Sequence, residues 1–420
     1  MSFFKNTESS TDYIELENTY GAHNYHPLPV VLAKGEGVYV WDVDGKRYFD
    51  FLSAYSALNQ GHGHPKIVGA LMKQAQTLTL TSRAFYNDQL GVYEKFVTGL
   101  FGFDKVLPMN TGAEAVETAL KICRKWAYEK KGVKEEEAQI VVCEKNFHGR
   151  TTTIISFSSD EDSRKGFGPY TGGFIRIPYD DAGALEAVLA SHPNVAGFLV
   201  EPIQGEAGIF VPQDGYLSRI REICTRYNVL LMVDEIQTGI ARTGKLLAVN
   251  HENVQPDILI LGKALSGGVY PVSAVLADDP VMEVIRPGQH GSTFGGNPIA
   301  AAVAGAALEV VEDEKLAENA ERLGHLFREK LNEYIAGSRI VKLVRGKGLL
   351  NAIVINDTEE SETAFNICLA LRDQGLLAKP THGNIIRFAP PLIITEDQLM
   401  ECIAIIVKTL EAFEDSVTAP

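Results

Sequence analysis

No run of 18 apolar residues occurs in the sequence, so no helix long enough to span a bilayer is expected. Cysteine is scarce: the five present (Cys123, Cys143, Cys224, Cys368, Cys402) are odd in number and contain no C-x-x-C pair. That distribution speaks against a disulfide frame and for reduced, mostly buried thiols inside a cell. Basic residues are outnumbered, 39 Lys+Arg against 54 Asp+Glu, for a formal net charge of −15. So acidic a chain suits neither nucleic acid nor an anionic membrane surface. There is no G-x-G-x-x-G after a strand and no G-x-x-x-x-G-K-[ST], which argues against a dinucleotide site and a P-loop. Internal repeats and low-complexity linkers are absent too. The first residues, Met1 to Ser9, show no apolar segment and include the acid Glu8, so no export or organelle signal is expected, and the cytoplasm is the expected compartment.

What is present is ordinary globular material. Hydrophobic residues make up 45% and charged residues 22% of 420 residues, enough for a large core shared by two or three domains of about 150 residues each. Residues 1 to about 50 are rich in turns. Val38–Trp41 and Arg47–Asp50, separated by Asp44-Gly45, read as a hairpin. Short apolar runs follow at Val106–Met109, Gln139–Cys143, Val195–Val200, Val229–Val233 and Ile258–Leu261. Their continuity fits parallel strands covered on both faces. Helical spacing at Lys66–Thr77, Ala113–Lys130, Ala182–Ser191 and Tyr216–Tyr227 alternates with them, the pattern of a mostly parallel α/β sheet. Beyond Asn297-Pro298 come the amphipathic helices Ile299–Val311 and Leu316–Ile335. The strands Ile340–Val344, Leu349–Ile355 and Ile385–Phe388 and a closing helix over Glu396–Phe413 complete a smaller α+β unit.

Ligands of such sheets bind beyond the carboxyl ends of the strands, so the residues that follow each run deserve comparison. After Ile258–Leu261 comes Gly262-Lys263, then Gly267-Gly268. A lysine ending a buried strand is costly unless neutralised or bonded; desolvated, it can form a Schiff base with a carbonyl. Taken alone, a lysine that snorkels to solvent is the commoner arrangement. After Val106–Met109, Asn110-Thr-Gly-Ala-Glu114 opens a helix, which serves equally as a phosphate cradle or a plain capping turn. Asn146-Phe-His-Gly-Arg150 offers an aromatic for a planar ring and an arginine for a carboxylate. Glu201-Pro-Ile-Gln-Gly-Glu-Ala-Gly208 carries two acids, and Asp234-Glu235 is an acid pair suited to a metal, a protonated nitrogen or an N-cap. His62 and His64 have the look of a metal pair without a third ligand at suitable spacing, so no metal is expected and they read as loop histidines. One chemistry uses all the parts together. Pyridoxal phosphate takes a lysine for its aldehyde, an acid for its pyridinium nitrogen, a phosphate cradle and apolar groups against its ring.

These stretches resemble the class III, fold-type I pyridoxal-phosphate aminotransferases. The likeness runs through Gly21–Pro29, Ser53-Ala-Tyr-Ser56, Asn110-Thr-Gly112, Asn146–Arg150, Glu201–Gly208, Asp234–Gly239, Gly262-Lys263, Gly291–Asn297 and Arg387-Phe-Ala-Pro-Pro391. The resemblance implies an α/β protein. It has a large domain over residues 56–300 with a mostly parallel seven-stranded sheet, a small α+β domain over 301–420, and an N-terminal segment, 1–55, that contributes to the small domain and the active site. It also implies that Lys263 holds pyridoxal 5'-phosphate and moves a proton, and that Asp234 pairs with the pyridinium. Gln237 would face the phenolic oxygen, Phe147 and Ile236 sandwich the ring, and Gly112, Ala113 and Ser292 help hold the cofactor. Thr293 would reach the phosphate of a neighbouring subunit, making a homodimer with shared sites. Among family members the likeness is nearest to those that take the δ-amine of L-ornithine, with 2-oxoglutarate as second substrate; N-acetylornithine or 4-aminobutyrate is the alternative. On that pattern Tyr25, Tyr55 and Arg150 meet the distal end of the substrate. Arg387 takes the keto acid's near carboxylate, and Glu206 masks Arg387 until it arrives.

Overall fold

The computed structural model describes residues 9–418; the reading of the N-terminus rests largely on residues 1–8, which lie outside them. Seven strands form the central sheet, in the order Lys105–Met109, Ser273–Ala277, Ile258–Leu261, Leu230–Asp234, Val195–Val200, Gln139–Cys143 and Phe174–Ile177. Ser273–Ala277 runs antiparallel to both neighbours, while the pairs from Ile258–Leu261 to Phe174–Ile177 are parallel. Register is set by burial on both faces: Val200 opposes Val233, and Val233 opposes Leu259. Alternate residues feed two apolar layers. Leu230, Met232, Ile258 and Ile260 pack with the helix Gly112–Trp126. Leu231, Val233, Leu259 and Leu261 pack with Tyr216–Arg226 and Pro298–Asp313.

Two smaller sheets flank this core. Val341–Lys347, Leu350–Ile355, Ile385–Phe388 and Lys379–Pro380 form an antiparallel sheet. Leu32–Glu36, Tyr39–Asp42 and Arg47–Asp50 form the other, with Leu376–Leu377 added in parallel to Arg47–Asp50. The N-terminal hairpin turns through Gly45, whose φ of 84° suits glycine. Asp50, at its end, starts a cradle for the residues that follow.

Several elements differ from expectation. The turn-rich N-terminus contains a helix, Ser10–Tyr20, with no buried residue; it rests on its Ser9 cap rather than on an apolar face. Ser273–Ala277 and Phe174–Ile177 join the sheet although neither stands out as an apolar run. The helix expected over Ala113–Lys130 is α-helical over Gly112–Trp126 and ends in a wider turn, Ala127–Lys131. All five cysteines are buried and unpaired. Among the described residues, no helix is long and apolar enough to cross a membrane.

Candidate active site

The carboxyl ends of the parallel strands bring the chemically useful residues to one edge. Ile258–Leu261 is wholly buried and delivers the chain through Gly262 into a short turn, Lys263–Ser266. Lys263 itself has φ 46°, a left-handed conformation that costs a non-glycine residue about 1–2 kcal/mol. The residue is half-buried, and its ammonium pKa is lowered. Burial is the main cause; Glu206 opposes it, Arg387 adds to it, and Asp234 and Glu201 oppose it more weakly. Compared with a surface lysine, more of it is the nucleophilic free amine at neutral pH.

Leu230–Asp234 ends on a buried carboxylate. Asp234 Oδ2 lies 2.7 Å from His148 Nδ1, and Oδ1 accepts the Ile236 N–H at 3.0 Å. His148, to which the sequence assigned no part, is 3% exposed and backs Asp234 from 86 residues away. The acid pair does not converge. Glu235 accepts from Thr238 and, at 2.9 Å, from the Val249 N–H, and burial pushes its carboxyl up to about 7. His62 and His64 also part company, bonding Asp50 at 2.7 Å and Glu314 at 2.9 Å.

The Asn110–Ala113 turn is held by a capping box: Glu114 N–H donates to Thr111 Oγ1 at 3.2 Å, and Glu114 Oε2 accepts the Thr111 N–H at 2.8 Å. The N–H groups of Gly112 and Ala113 lie in the first turn, where a helix has no internal partners for them and favours an anion. A Cβ at Gly112 would stand 3.0 Å from Ile236 Cδ1, a tight contact that the isoleucine would have to give way to. Ser292 Oγ accepts from Asn110 Nδ2 at 2.8 Å and from the Gly295 N–H at 3.1 Å, tying the Gly291–Gly296 loop to this turn.

Arg387 lies on Ile385–Phe388 and is 2% exposed. Its Nη1 donates to Glu206 Oε1 at 2.9 Å and its Nη2 to Glu206 Oε2 at 3.1 Å, a two-pronged ion pair between residues 181 apart in sequence. Thr381 Oγ1 accepts from Nη2 at 3.0 Å. Gln237 Nε2 donates to Glu206 Oε1 at 2.8 Å, and its Oε1 lies over Gly205, where an added Cβ would force the Gln237 side chain to move. Burial raises the Glu206 carboxyl, but Arg387 overrides it and holds it at about 2. Two residues on, Gly208 O accepts from Arg345 Nε at 2.9 Å and Nη2 at 2.7 Å, Arg345 belonging to Val341–Lys347.

Tyr55 sits in an unusual turn: Ser53, Ala54, Tyr55 and Ser56 have φ of 49°, 46°, 60° and 71°, all left-handed without a glycine. Asp50 Oδ1 accepts the N–H groups of Leu52 and Ser53 at 2.9 and 2.8 Å, and Ser53 Oγ donates to Ala389 O at 2.7 Å. That scaffolding holds the strain and sets the Tyr55 ring 5.4 Å from the Arg387 guanidinium. Phe147 is 38% exposed, its N–H donating to Glu201 Oε2 at 3.3 Å. Arg150 is exposed, its guanidinium 5.8 Å from the Phe147 ring, and has no ion-pair partner among the described residues. Tyr25, on the N-terminal arm, is 71% exposed, and Thr293 is exposed on its loop. Neither is hydrogen-bonded to the groups around Lys263 among the described residues. His148 and Thr381 are the contributors the sequence did not assign. Only the position of Thr381, six residues before Arg387 across a tight turn, hinted at one of them.

The donor set fits pyridoxal phosphate. It offers a lysine amine of lowered pKa, a buried carboxylate backed by a histidine, and a helix start for the phosphate. It also includes a buried Gln237 Oε1 with unused bonding capacity. Fold and site together define a fold-type I pyridoxal-phosphate enzyme. The family model for class-III aminotransferases matches residues 20–410. The chain belongs to the class III aminotransferases. It is 64% identical over 394 residues to a protein of Drosophila ananassae named mitochondrial ornithine aminotransferase, covering 94% of this chain and 90% of that one. A solved ornithine aminotransferase of Toxoplasma gondii, reported with partial occupancy of PLP at its active site, superposes with a TM-score of 0.96 at 50% identity, over 98% of this chain and 96% of that one. A solved acetylornithine aminotransferase of Elizabethkingia anophelis is 63% identical with a TM-score of 0.90, over 97% of this chain and all of that one (100%).

Proposed function

We propose that this enzyme transfers the δ-amino group of L-ornithine to 2-oxoglutarate. The products are glutamate and glutamate 5-semialdehyde, which closes to pyrroline-5-carboxylate. The observation that carries the reading is the Glu206–Arg387 ion pair, in which Arg387 is buried and Glu206 partly so. An arginine beside the reacting carbon favours an α-amino acid or α-keto acid. Masking it with a carboxylate leaves the site neutral for a substrate that reacts through its far amine. When bound, pyridoxal phosphate supplies a carbonyl for the amine and a ring that accepts electrons from the bond being broken.

The chain does the rest. Lys263 holds the cofactor and, once released by the incoming amine, takes the proton from the amine-bearing carbon and returns it. Asp234, oriented by His148, keeps a positive charge on the pyridine nitrogen, while Phe147 and Ile236 flank the ring and Gln237 addresses its phenolic oxygen. Gly112, Ala113 and Ser292 receive the phosphate, with Thr293 contributed by a second copy of the chain. Arg150 and Tyr25 receive the distal carboxylate and amine, and Tyr55, whose ring stands 5.4 Å from the Arg387 guanidinium, lies between that end and Arg387. The domain division at 1–55, 56–300 and 301–420 belongs to the same reading.

A homodimer is supported by apolar surface near Thr293. Phe85 is 77% exposed, Tyr86 is fully exposed and Phe294 is 51% exposed. They are more than a monomer usually leaves to water in one region. For compartment we propose the cytoplasm, a reducing setting that five buried, unpaired cysteines fit.

The test is two separate half-reactions. Purified holoenzyme with ornithine alone should convert to its amine form, and 2-oxoglutarate should reverse the change; no spectral response to ornithine would sink the reading. N-acetylornithine is the second reading, favoured by the 63% identity to the Elizabethkingia acetylornithine enzyme, and a higher kcat/KM for it than for ornithine would select it. Arg150→Ala should cost about 2 kcal/mol or more, roughly 30-fold in kcat/KM, with ornithine and with 2-oxoglutarate alike. An effect on one substrate only would remove the shared distal carboxylate site. Glu206→Gln should raise single-turnover reactivity toward α-amino acids about tenfold relative to ornithine; an unchanged ratio would dismiss the gate. Glu206 titrates at about 2, below the ordinary 4.5, so its pairing is complete above the ordinary value and is lost only as pH falls toward 2. Discrimination should therefore stay flat across neutral and mildly alkaline pH.

A further inference from the structure

The gate raises an electrostatic difficulty. Arg387 is buried and already neutralised by both oxygens of Glu206, so an approaching carboxylate meets no net positive charge there. The cross-strand neighbour of Arg387 resolves this. Lys379 pairs directly with Arg387 in the antiparallel ladder of Lys379–Pro380 and Ile385–Phe388, and directly opposed residues present their side chains on one face, about 5 Å apart at Cβ. Both cations gather at one aromatic ring: Lys379 Nζ lies 5.9 Å and the Arg387 guanidinium 5.4 Å from the Tyr55 centroid. Lys379 is half-buried and has no ion-pair partner among the described residues. The same hairpin also carries Thr381, which braces Arg387. One cation of the pair is masked; the other is open.

We propose that Lys379 is a specificity-determining cation of the second half-reaction, drawing the keto acid's near carboxylate to the masked Arg387 and sharing it while Glu206 is displaced. This inference rests on the transamination reading above. A unit charge about 6 Å from the incoming carboxylate, in a half-solvated cleft, is worth about tenfold in capture. Ornithine reacting through its δ-amine brings no carboxylate to this end, so Lys379 does not help its half-reaction.

The test measures the half-reactions separately for wild type, Lys379→Gln and Lys379→Arg. The 2-oxoglutarate arm starts from enzyme loaded with pyridoxamine phosphate, so it is readable whatever ornithine does. Lys379→Gln should lower kcat/KM for 2-oxoglutarate about tenfold. It should also flatten the decline of that constant between about 20 and about 300 mM salt. The ornithine half-reaction should not change, and Lys379→Arg should stay within about threefold of wild type because it keeps the charge. Equal losses in both half-reactions, or an unaltered 2-oxoglutarate constant and salt slope, would overturn the proposal. If wild type ignored ornithine but the lysine effect on 2-oxoglutarate held, the amino donor would be wrong and the cation right.

Discussion

Lys263→Ala is expected to lower turnover by about 10⁴-fold or more, because in the proposed reaction one side chain provides both the attachment point and the proton carrier. The variant should fold: alanine at φ 46° is no more strained than lysine there, and the buried strand before it is untouched. The cofactor should still bind through the helix start and Asp234. The visible band of the lysine-bound cofactor should vanish, and borohydride should no longer fix it to the chain. A folded, cofactor-saturated variant that still turns over normally, or is still labelled, would take Lys263 out of the chemistry.

Asp234→Asn is expected to have the second largest effect, lowering kcat by about 10²- to 10³-fold, the scale of losing one partner of a buried charged pair at 2–5 kcal/mol. An amide keeps the shape of the carboxylate but not the charge that, in the proposed reaction, would hold a proton on the pyridine nitrogen. The substitution also breaks the present relation to His148, whose Nδ1 lies 2.7 Å from Asp234 Oδ2. Cofactor retention on dialysis and the spectrum of the bound cofactor read the loss independently of rate. Wild-type kcat in Asp234→Asn would show that ring protonation does not depend on this residue.

How far the sequence could be read follows from where burial shows itself locally. Val195–Val200 and Ile258–Leu261 are buried at every position, and their unbroken apolar character says so directly. Ser273–Ala277 is as deeply buried, but serine and two alanines dilute its signal, and its reversed direction is a property of its neighbours. Phe174–Ile177 lies at the sheet edge and exposes Arg176, so half its pattern looks like loop. Ser10–Tyr20 buries nothing and so has no periodicity to read. The site divides the same way. Lys263, Asp234 and the Asn110–Ala113 turn were legible because each follows a strand. The contacts Glu206–Arg387 and His148–Asp234 span 181 and 86 residues and exist only once the sheets are assembled. The left-handed turn at Tyr55 was invisible, since no glycine marks it and Asp50 and Ala389 hold it from outside.

The loop that follows Val200 is fastened to the C-terminal sheet at two places of different kind. At Glu206 the fastening is ion to ion, of the kind that the keto acid's carboxylate would replace in the proposed reaction. At Gly208 it is Arg345 gripping a backbone carbonyl, which no substrate replaces. Exchanging the first would therefore not free the loop, which Arg345 still holds two residues away. On the proposed reaction, two substrates of opposite end-group charge would then be served by a pivoting side chain on a loop that stays anchored, with no lid required.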